Sequence, residues 1–258
     1  MTIKLHGAPM STCTAKVLTC LHEKGIDFEF VPVNLLAGEQ KQPSFVAKNP
    51  FGLVPVLEDG DFTIILDGES GERCGRAAVD GELACVPDGG GDCSPWRNPL
   101  AVVGVDESRA ITSYLAEKFK DSGCDLIGHG NIKESAMVKV WMEVESQQYS
   151  PAVSPIFFQY FIVPKRGGSP DQAIIDENSG KLGKVLDVYE QRLSGAKYLA
   201  GDFFSLADLH HLGLTFYFMK TPCARLINER PHVKAWWEDI SSRPAFQKVV
   251  PGMTLGAK

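Results

Sequence analysis

The first 33 residues show a strand pattern, then a helix pattern, then a second strand pattern. This order is compatible with few folds. Residues 3–6 alternate as a short strand, and residues 14–24 carry apolar side chains at helical spacing before Gly25. A second strand pattern follows at residues 28–33. A β-α-β unit of this kind predicts two parallel strands joined by the helix.

Two apolar runs come next, at residues 54–57 and 62–65, on either side of a Glu-Asp-Gly turn. They predict a β-hairpin that adds to the same sheet. The helix expected after the hairpin begins only at Glu107, where apolar residues recur on one face.

Residues 65–106 separate the hairpin from that helix and have an unusual composition. They hold eight of the 25 glycines and three of the seven cysteines, and they contain no lysine, phenylalanine or tyrosine. No period of 2 or 3.6 is sustained, so we predict a disordered insertion. It is either a translated intervening sequence or a true loop, such as a lid over a site.

Beyond residue 130 the patterns are helical. Helices are predicted over residues 132–149 and 232–242, and another carries apolar residues at i, i+3, i+4 and i+7 from Leu182. Ser205 and Asp208 predict a capping box at the start of a buried helix. The chain should therefore be α/β followed by all-α.

Composition narrows the class of function. The chain has 258 residues, 44% hydrophobic and 22% charged, with no apolar run long enough to span a membrane. The net charge of −6 comes without a basic run, so no nucleic-acid partner is expected. Seven cysteines without a CxxC pair argue against a disulfide framework and a zinc site, and they favour a cytoplasmic protein with reduced thiols.

Four separated segments resemble the plant phi class of glutathione transferases. They are the run from GAPMSTCTAKV to FGLVPVLEDGDFTI, then ESRAITSYLAEKF, YLAGDFFSLADL and PHVKAWWEDISSRPAFQKV. Together they cover nearly all of residues 1–64 and 107–250. The resemblance implies a thioredoxin-like glutathione-binding domain at residues 1–120, a linker at 121–130 and a helical-bundle domain at 131–258. It also implies a homodimer that takes glutathione and a hydrophobic electrophile and needs no metal.

Ser11 matches the position where the family keeps the hydroxyl that hydrogen-bonds the glutathione sulfur. A hydroxyl donor and a helix N-terminus both stabilise a thiolate. Ser11 could also be a plain helix cap. Cys13 is the rival nucleophile, although the reductase branches of the superfamily carry their cysteine where this chain has Ser11.

The glutathione peptide should be held by a second group of residues. Val54 precedes the family's cis-proline, Pro55, and should pair with the cysteinyl unit. Gln40 and Lys41 stand where the family has His-Lys, and Leu53 replaces a glutamine, which implies weaker binding of glutathione. The complete set implied by the resemblance is Ser11, Thr12, Gln40, Lys41, Leu53, Val54, Pro55, Glu107 and Ser108.

The pair Glu-Ser occurs twice, and only one copy fits the γ-glutamyl end of the ligand. Glu107 and Ser108 open a helical pattern, so their first N–H groups can bind a carboxylate. Glu69 and Ser70 are flanked by glycines and have no helix after them.

An apolar pocket for the second substrate is the least specific expectation, because its candidates could equally belong to the core. They are Met10, Leu35, Leu36, Phe157 and Tyr160. His210 and His211 are expected to pack or to lie at the surface, since no partner at i+4 suggests a metal site. The function expected is conjugation of glutathione to hydrophobic electrophiles, with reduction of hydroperoxides as an extension. The alternative is a ligandin, which carries apolar molecules without turnover.

Overall fold

The computed structural model describes residues 3–60, the backbone of 62–64, and residues 108–255. The predicted insertion at 65–106 and the two residues Glu69 and Ser70 therefore lie outside the described residues, and so does Glu107.

The N-terminal part forms the predicted β-α-β unit and hairpin. Its elements are β1 Ile3–Gly7, α1 Thr12–Lys24, β2 Phe28–Pro32, α2 Pro43–Val46, β3 Val56–Asp59, β4 Phe62–Ile64 and α3 Ser108–Lys118. The strand order is β2-β1-β3-β4. β1 pairs parallel with β2, and β3 pairs antiparallel with both β1 and β4, as predicted.

The C-terminal part is helical, which confirms the predicted fold class. Its α-helices are α4 Ile132–Val144, α5 Ser150–Phe157, α6 Gln172–Leu193, α7 Leu206–Leu209, α8 Leu212–Phe218, α9 Arg225–Asn228, α10 Pro231–Ser241 and α11 Pro244–Val249. No helix in the part of the chain that the structure describes is long and apolar enough to cross a membrane.

The helix predicted to stop at residue 149 does not stop there. A π-helical turn at Glu145–Tyr149 joins α4 to α5, and a second one follows at Phe158–Ile162. Prolines at 151 and 155 lie within the continued helix, although proline removes a backbone donor. Local π-helical widening beside such residues is a common way to continue a helix.

The capping box before α7 forms as predicted. The Asp208 carboxylate accepts from the Ser205 backbone N–H at 3.0 Å and from the Ser205 hydroxyl at 3.1 Å. The same carboxylate accepts from the Leu199 N–H at 3.0 Å and from the Trp236 indole N–H at 2.9 Å. One buried side chain thus connects α7, α10 and the loop before them.

A continuous apolar core joins the two parts of the molecule, from Leu5 and Leu21 in the sheet domain to Tyr149, Leu186 and Trp236 among the helices. A smaller cluster of Val33, Phe45 and Val56 lies beside it in the N-terminal part. The two domains therefore pack directly against each other, and this packing fixes their relative position.

Candidate glutathione site

The loop between β1 and α1 presents Ser11 at the start of the helix. Ser11 is the N-cap residue, with extended backbone at φ −75° and ψ 131°, and its Oγ accepts from the Thr14 N–H at 3.4 Å. Ser11 therefore caps α1. This role is compatible with a role in binding a sulfur atom, because a hydroxyl that accepts a hydrogen bond keeps its own hydrogen to donate.

Thr12 and Cys13 form the first turn of α1 and face the helical domain. The Thr12 hydroxyl lies 3.9 Å from the Cys13 sulfur. A Cβ placed on Gly213 would lie 2.6 Å from the Thr12 carbonyl oxygen, so only glycine allows α8 to approach this closely. The first turn of α1 is thus covered by α8 on one side.

The structure brings Gln40, Lys41 and Leu53 together. Gln40 and Lys41 lie in a 3₁₀ turn, and the Lys41 ammonium donates to the Phe51 carbonyl at 2.8 Å. Gly52 adopts φ +56°, and a Cβ there would lie 2.5 Å from the Gln40 carbonyl oxygen. The segment of Gln40 and Lys41 and the segment that leads into β3 therefore lie in direct contact.

The peptide bond between Val54 and Pro55 is cis, as the resemblance implied. The Leu53 carbonyl just before it accepts from the amide of buried Asn49 at 3.1 Å. The pairing of His6 with Val56 puts the start of β3 beside the end of β1. Pro55 and the loop leading to Ser11 consequently share one edge of the sheet.

Ser108 lies at this same end because α1 and α3 run parallel. Lys16 on α1 and Arg109 on α3 both reach Glu145, and one turn further the Cys20 thiol donates to the Thr112 carbonyl at 3.7 Å. Ser108 is buried. Two parallel helices thus direct their N-termini, the positive ends of their dipoles, toward the Pro55 edge of the sheet.

A buried ion cluster fixes the two helices relative to each other. Glu145 is fully buried, and it lies 3.7 Å from the Lys16 ammonium and 2.8 Å from the Arg109 Nε. The Ser150 hydroxyl donates at 2.6 Å to Oε1, the oxygen that faces Lys16, and Arg109 donates to Oε2. Burial opposes the charged form, but Lys16 and Arg109 outweigh it and lower the pKa of the Glu145 carboxyl to about 2.

The candidates for an apolar pocket lie in different places. Met10 and Phe157 each contact Tyr217, whose hydroxyl donates to the Met10 carbonyl at 2.9 Å and whose ring centroid lies 5.4 Å from that of Phe157. Leu35, like Val54, packs against the small cluster of Val33, Phe45 and Val56. Leu36 is 81% exposed.

Tyr160 interacts with a different set of residues. Burial, followed by Cys223 and then Asp176, raises the pKa of its phenol. Tyr217 is thus the shared neighbour of Met10 and Phe157.

His210 and His211 are both buried and act in packing. The His211 Nδ1–H donates to the Ala207 carbonyl at 2.8 Å, so its Nε2 accepts from the Tyr189 hydroxyl at 3.0 Å. His210 Nε2 lies 2.8 Å from the Thr112 hydroxyl. Among the described residues, no three His, Cys, Asp or Glu side chains are grouped to hold a metal ion.

Three residues of the site were not anticipated from the sequence: Lys16, Glu145 and Tyr217. A lysine between the apolar Ala15 and Val17 on the buried face of α1 was the one available signal, since a buried charge needs a partner. Glu145 and Tyr217 lie in helices whose periodicity gives no sign of distant polar contacts.

Comparison with protein families identifies the chain. Residues 1–66 match the glutathione S-transferase N-terminal domain, and residues 149–244 match the glutathione S-transferase C-terminal domain. The chain belongs to the glutathione S-transferase family.

Its relatives are plant enzymes of the phi class. The chain is 49% identical to glutathione S-transferase F13 of Arabidopsis thaliana over 99% of this chain and 98% of that protein. It resembles the crystal structure of glutathione transferase F7 from Populus trichocarpa with a TM-score of 0.80 and 58% identity, covering 98% of this chain and 99% of that one. Glutathione S-transferase I from maize, solved with an atrazine glutathione conjugate, gives a TM-score of 0.78 and 41% identity over the whole of both chains.

Proposed function

We propose that this transferase joins the thiolate of glutathione to hydrophobic electrophiles and that the Ser11 hydroxyl stabilises the thiolate. The observation that carries the proposal is the parallel arrangement of α1 and α3, with Ser11 capping the first helix at the Pro55 edge of the sheet. A cysteine thiol titrates near pH 8.5, so it is mostly protonated at neutral pH. A donated hydrogen bond and the positive end of a helix both lower that pKa.

The chemistry follows from the lowered pKa. The thiol proton leaves to solvent, the sulfur attacks an electrophilic carbon, a carbon–sulfur bond forms, and in a substitution the leaving group departs with the electron pair. The same thiolate could attack one oxygen of an organic hydroperoxide, so that the O–O bond breaks, the alcohol leaves and the sulfur becomes a sulfenic acid. A second glutathione thiol would then attack this sulfur, forming the disulfide and releasing water. Detoxification of reactive apolar compounds is the corresponding biological task.

The rest of glutathione has a matching set of contacts. In this proposal the backbone of Val54, before the cis-proline, pairs with the cysteinyl unit. The Lys41 ammonium, which donates to the Phe51 carbonyl, would together with Gln40 meet the glycyl carboxylate. Ser108 and the first N–H groups of α3 would receive the γ-glutamyl carboxylate, and Glu107 its ammonium.

Relatives support this assignment of ligand. One maize glutathione S-transferase I structure contains an atrazine glutathione conjugate, and another contains lactoylglutathione. Both molecules combine the glutathione peptide with a second group. Such molecules match a site in which a peptide-binding edge lies beside apolar side chains. Met10 and Phe157 are the side chains we assign to that apolar part.

Replacement of Ser11 tests the proposal. In Ser11→Ala we expect kcat with a chloronitrobenzene substrate to fall by at least about tenfold and the pKa of bound glutathione to rise by about one unit or more, with KM for glutathione within about twofold. Ser11→Thr, which keeps a hydroxyl and a cap, should retain most activity. Cys13→Ser is the matched control two residues away and should behave as wild type.

Two results would reject the assignment. An active Ser11→Ala with an inactive Cys13→Ser would make Cys13 the nucleophile. Glutathione and chloronitrobenzene that both bind the wild-type protein without forming a conjugate would indicate a carrier. Because alanine also removes a helix cap, at about 0.5 to 2 kcal/mol, thermal melting should be measured for each variant.

We also propose that two copies of the chain associate through α4. Ile132, Ala136 and Val140 recur every four residues on an exposed face of this helix, with Ile132 86% and Val140 50% exposed. An apolar stripe of this kind is typical of a helix that packs against another surface. The reduced thiols of Cys13, Cys20, Cys124 and Cys223 support a cytoplasmic location for the assembly.

Light scattering of an Ile132→Glu, Val140→Glu double variant tests the association. We expect the wild type at twice the chain mass and the double variant at the chain mass. Val188→Glu is the control, since Val188 is 56% exposed on α6. Dimers of the double variant as stable as those of wild type would place the interface elsewhere.

A further inference from the structure

The hydroxyl of Tyr217 on α8 holds a backbone group near the start of α1. It donates to the carbonyl of Met10 at 2.9 Å, 207 residues away in sequence. Tyr217 therefore connects the helical domain to the loop before α1.

The Met10 carbonyl belongs to the peptide unit that ends in the Ser11 nitrogen. The N–H of this unit donates to the Ala8 carbonyl at 2.9 Å, closing a turn with Pro9 and Met10 at its centre. Its C=O points the opposite way and meets Tyr217. A planar peptide whose N–H and C=O are both hydrogen-bonded has a fixed orientation. This orientation fixes the position of the Ser11 Cα, from which the side chain extends.

Tyr217 is itself held from two sides. Its ring centroid lies 5.4 Å from that of Phe157 and 5.4 Å from that of Phe161. The tail packs on the same loop, because a Cβ placed on Gly252 would lie 2.8 Å from the Pro9 side chain. Met253 and Leu255 are buried, at 2% and 9% exposure.

We propose that Tyr217 is a positioning residue for the transferase reaction: through the Met10–Ser11 peptide, its hydroxyl holds the Ser11 side chain where it can donate to the glutathione sulfur. The inference rests on the proposed function, since it requires Ser11 to act on that sulfur. Tyr217 does not contact the sulfur in this scheme, and its effect passes through the peptide alone.

The phenol is suited to this task over the working pH range. Burial raises the pKa of Tyr217 to about 12, even though the Leu255 N–H acts in the opposite direction. The hydroxyl therefore remains protonated, and its hydrogen remains available to the Met10 carbonyl, well above neutral pH.

Tyr217→Phe removes the hydroxyl and keeps the ring. We expect kcat at pH 6.5 to fall about three- to tenfold, as loss of one hydrogen bond allows, with the pKa of bound glutathione raised by a corresponding half to one unit and KM for glutathione unchanged within about twofold. The pKa is read from the ultraviolet absorbance of the thiolate in the enzyme–glutathione complex. A role limited to packing would lower melting temperature without moving this pKa.

Tyr149→Phe is the matched control. Tyr149 is also fully buried, and its hydroxyl lies 2.7 Å from that of Thr215, on the same α8 helix. We expect this variant to lose stability and to leave the pKa of bound glutathione unchanged. An equal rise in pKa for both variants would overturn the proposal, because it would show a general effect of loosening α8.

A second pair of variants keeps the test decisive if Tyr217→Phe folds poorly. Phe161→Leu keeps the Tyr217 hydroxyl and removes one of the two rings that hold the phenol in place, whereas Phe246→Leu removes a ring that packs on Phe216 of the same helix. The proposal expects the pKa of bound glutathione to rise in Phe161→Leu and not in Phe246→Leu. No difference between these two variants would contradict it.

Ser11→Ala separates failure of this inference from failure of the proposed function. If Ser11→Ala raises the pKa of bound glutathione and Tyr217→Phe does not, Ser11 acts as proposed and Tyr217 does not position it. If neither variant changes the pKa, the proposed action of Ser11 is wrong and the inference falls with it.

Discussion

Leu53 shows how one side chain can weaken a site while its backbone stays in place. Its carbonyl is held by the Asn49 amide at 3.1 Å, and the neighbouring Gly52 packs against Gln40. The loop geometry therefore does not depend on the residue type at position 53. The phi-class pattern has a glutamine here, and leucine offers the ligand no polar group.

Leu53→Gln should strengthen binding of glutathione. We expect KM for glutathione to fall severalfold with kcat unchanged, because one regained hydrogen bond of about 0.5 to 1.5 kcal/mol acts equally on ground state and transition state. Val188→Gln, the same kind of change on exposed α6, should leave KM unaltered. An unchanged KM in Leu53→Gln would mean that this side chain does not reach the peptide.

At the scale of elements, the helical domain depends on a few buried polar anchors. Asp208 accepts from the Leu199 and Ser205 backbone N–H groups and from the Trp236 indole, all without access to water. Burial raises the pKa of its carboxyl to about 6, so it is charged at neutral pH. Removal of a buried, charged acceptor that has several donors lowers stability far more than removal of an exposed acceptor does.

Asp208→Ala should lower the free energy of unfolding by at least about 3 kcal/mol, since it leaves several buried donors unpaired at once. Asp202→Ala is the control in the preceding loop, where an exposed carboxylate accepts only a long 3.4 Å bond from the Lys197 N–H; a loss under about 1 kcal/mol is expected. Urea unfolding of the two variants gives both values. Similar losses would show that burial of Asp208 is not what matters.

Local sequence patterns were sufficient to predict most helices and strands, but they did not predict the contacts between these elements. The alternation in β1, the helical spacing in α1 and the Ser205 capping box are short-range signals, and the structure confirms each. The end predicted at residue 149 was wrong because the π-helical turn at Glu145–Tyr149 carries the helix onward through two prolines. Tyr217 meets Met10 across 207 residues, and no local pattern records such a contact.

At the scale of the whole molecule, the site depends on how the two domains are joined. Lys16 and Arg109 come from the sheet domain, and Glu145 comes from the π-helical turn of the helical domain. Glu145 is fully buried, so its charge must be balanced inside the interface. The same ion cluster that attaches the domains therefore also keeps the N-termini of α1 and α3 together.

Glu145→Gln should show this dependence as a function of pH. The folded protein lowers the pKa of Glu145 from 4.5 to about 2, so the stabilisation from its charge is present above pH 4.5 and is lost as pH falls toward 2. We expect the variant to be less stable than wild type by about 3 to 5 kcal/mol at pH 7, because buried Lys16 and partly buried Arg109 lose the charge that balances them. The difference should shrink steadily below pH 4.5, as measured by urea unfolding at pH 7, 5 and 3.5. Glu134→Gln, an exposed change on the same helix, should show no such trend, and a difference for Glu145→Gln that stays constant with pH would mean that its ionisation does not hold the domains together.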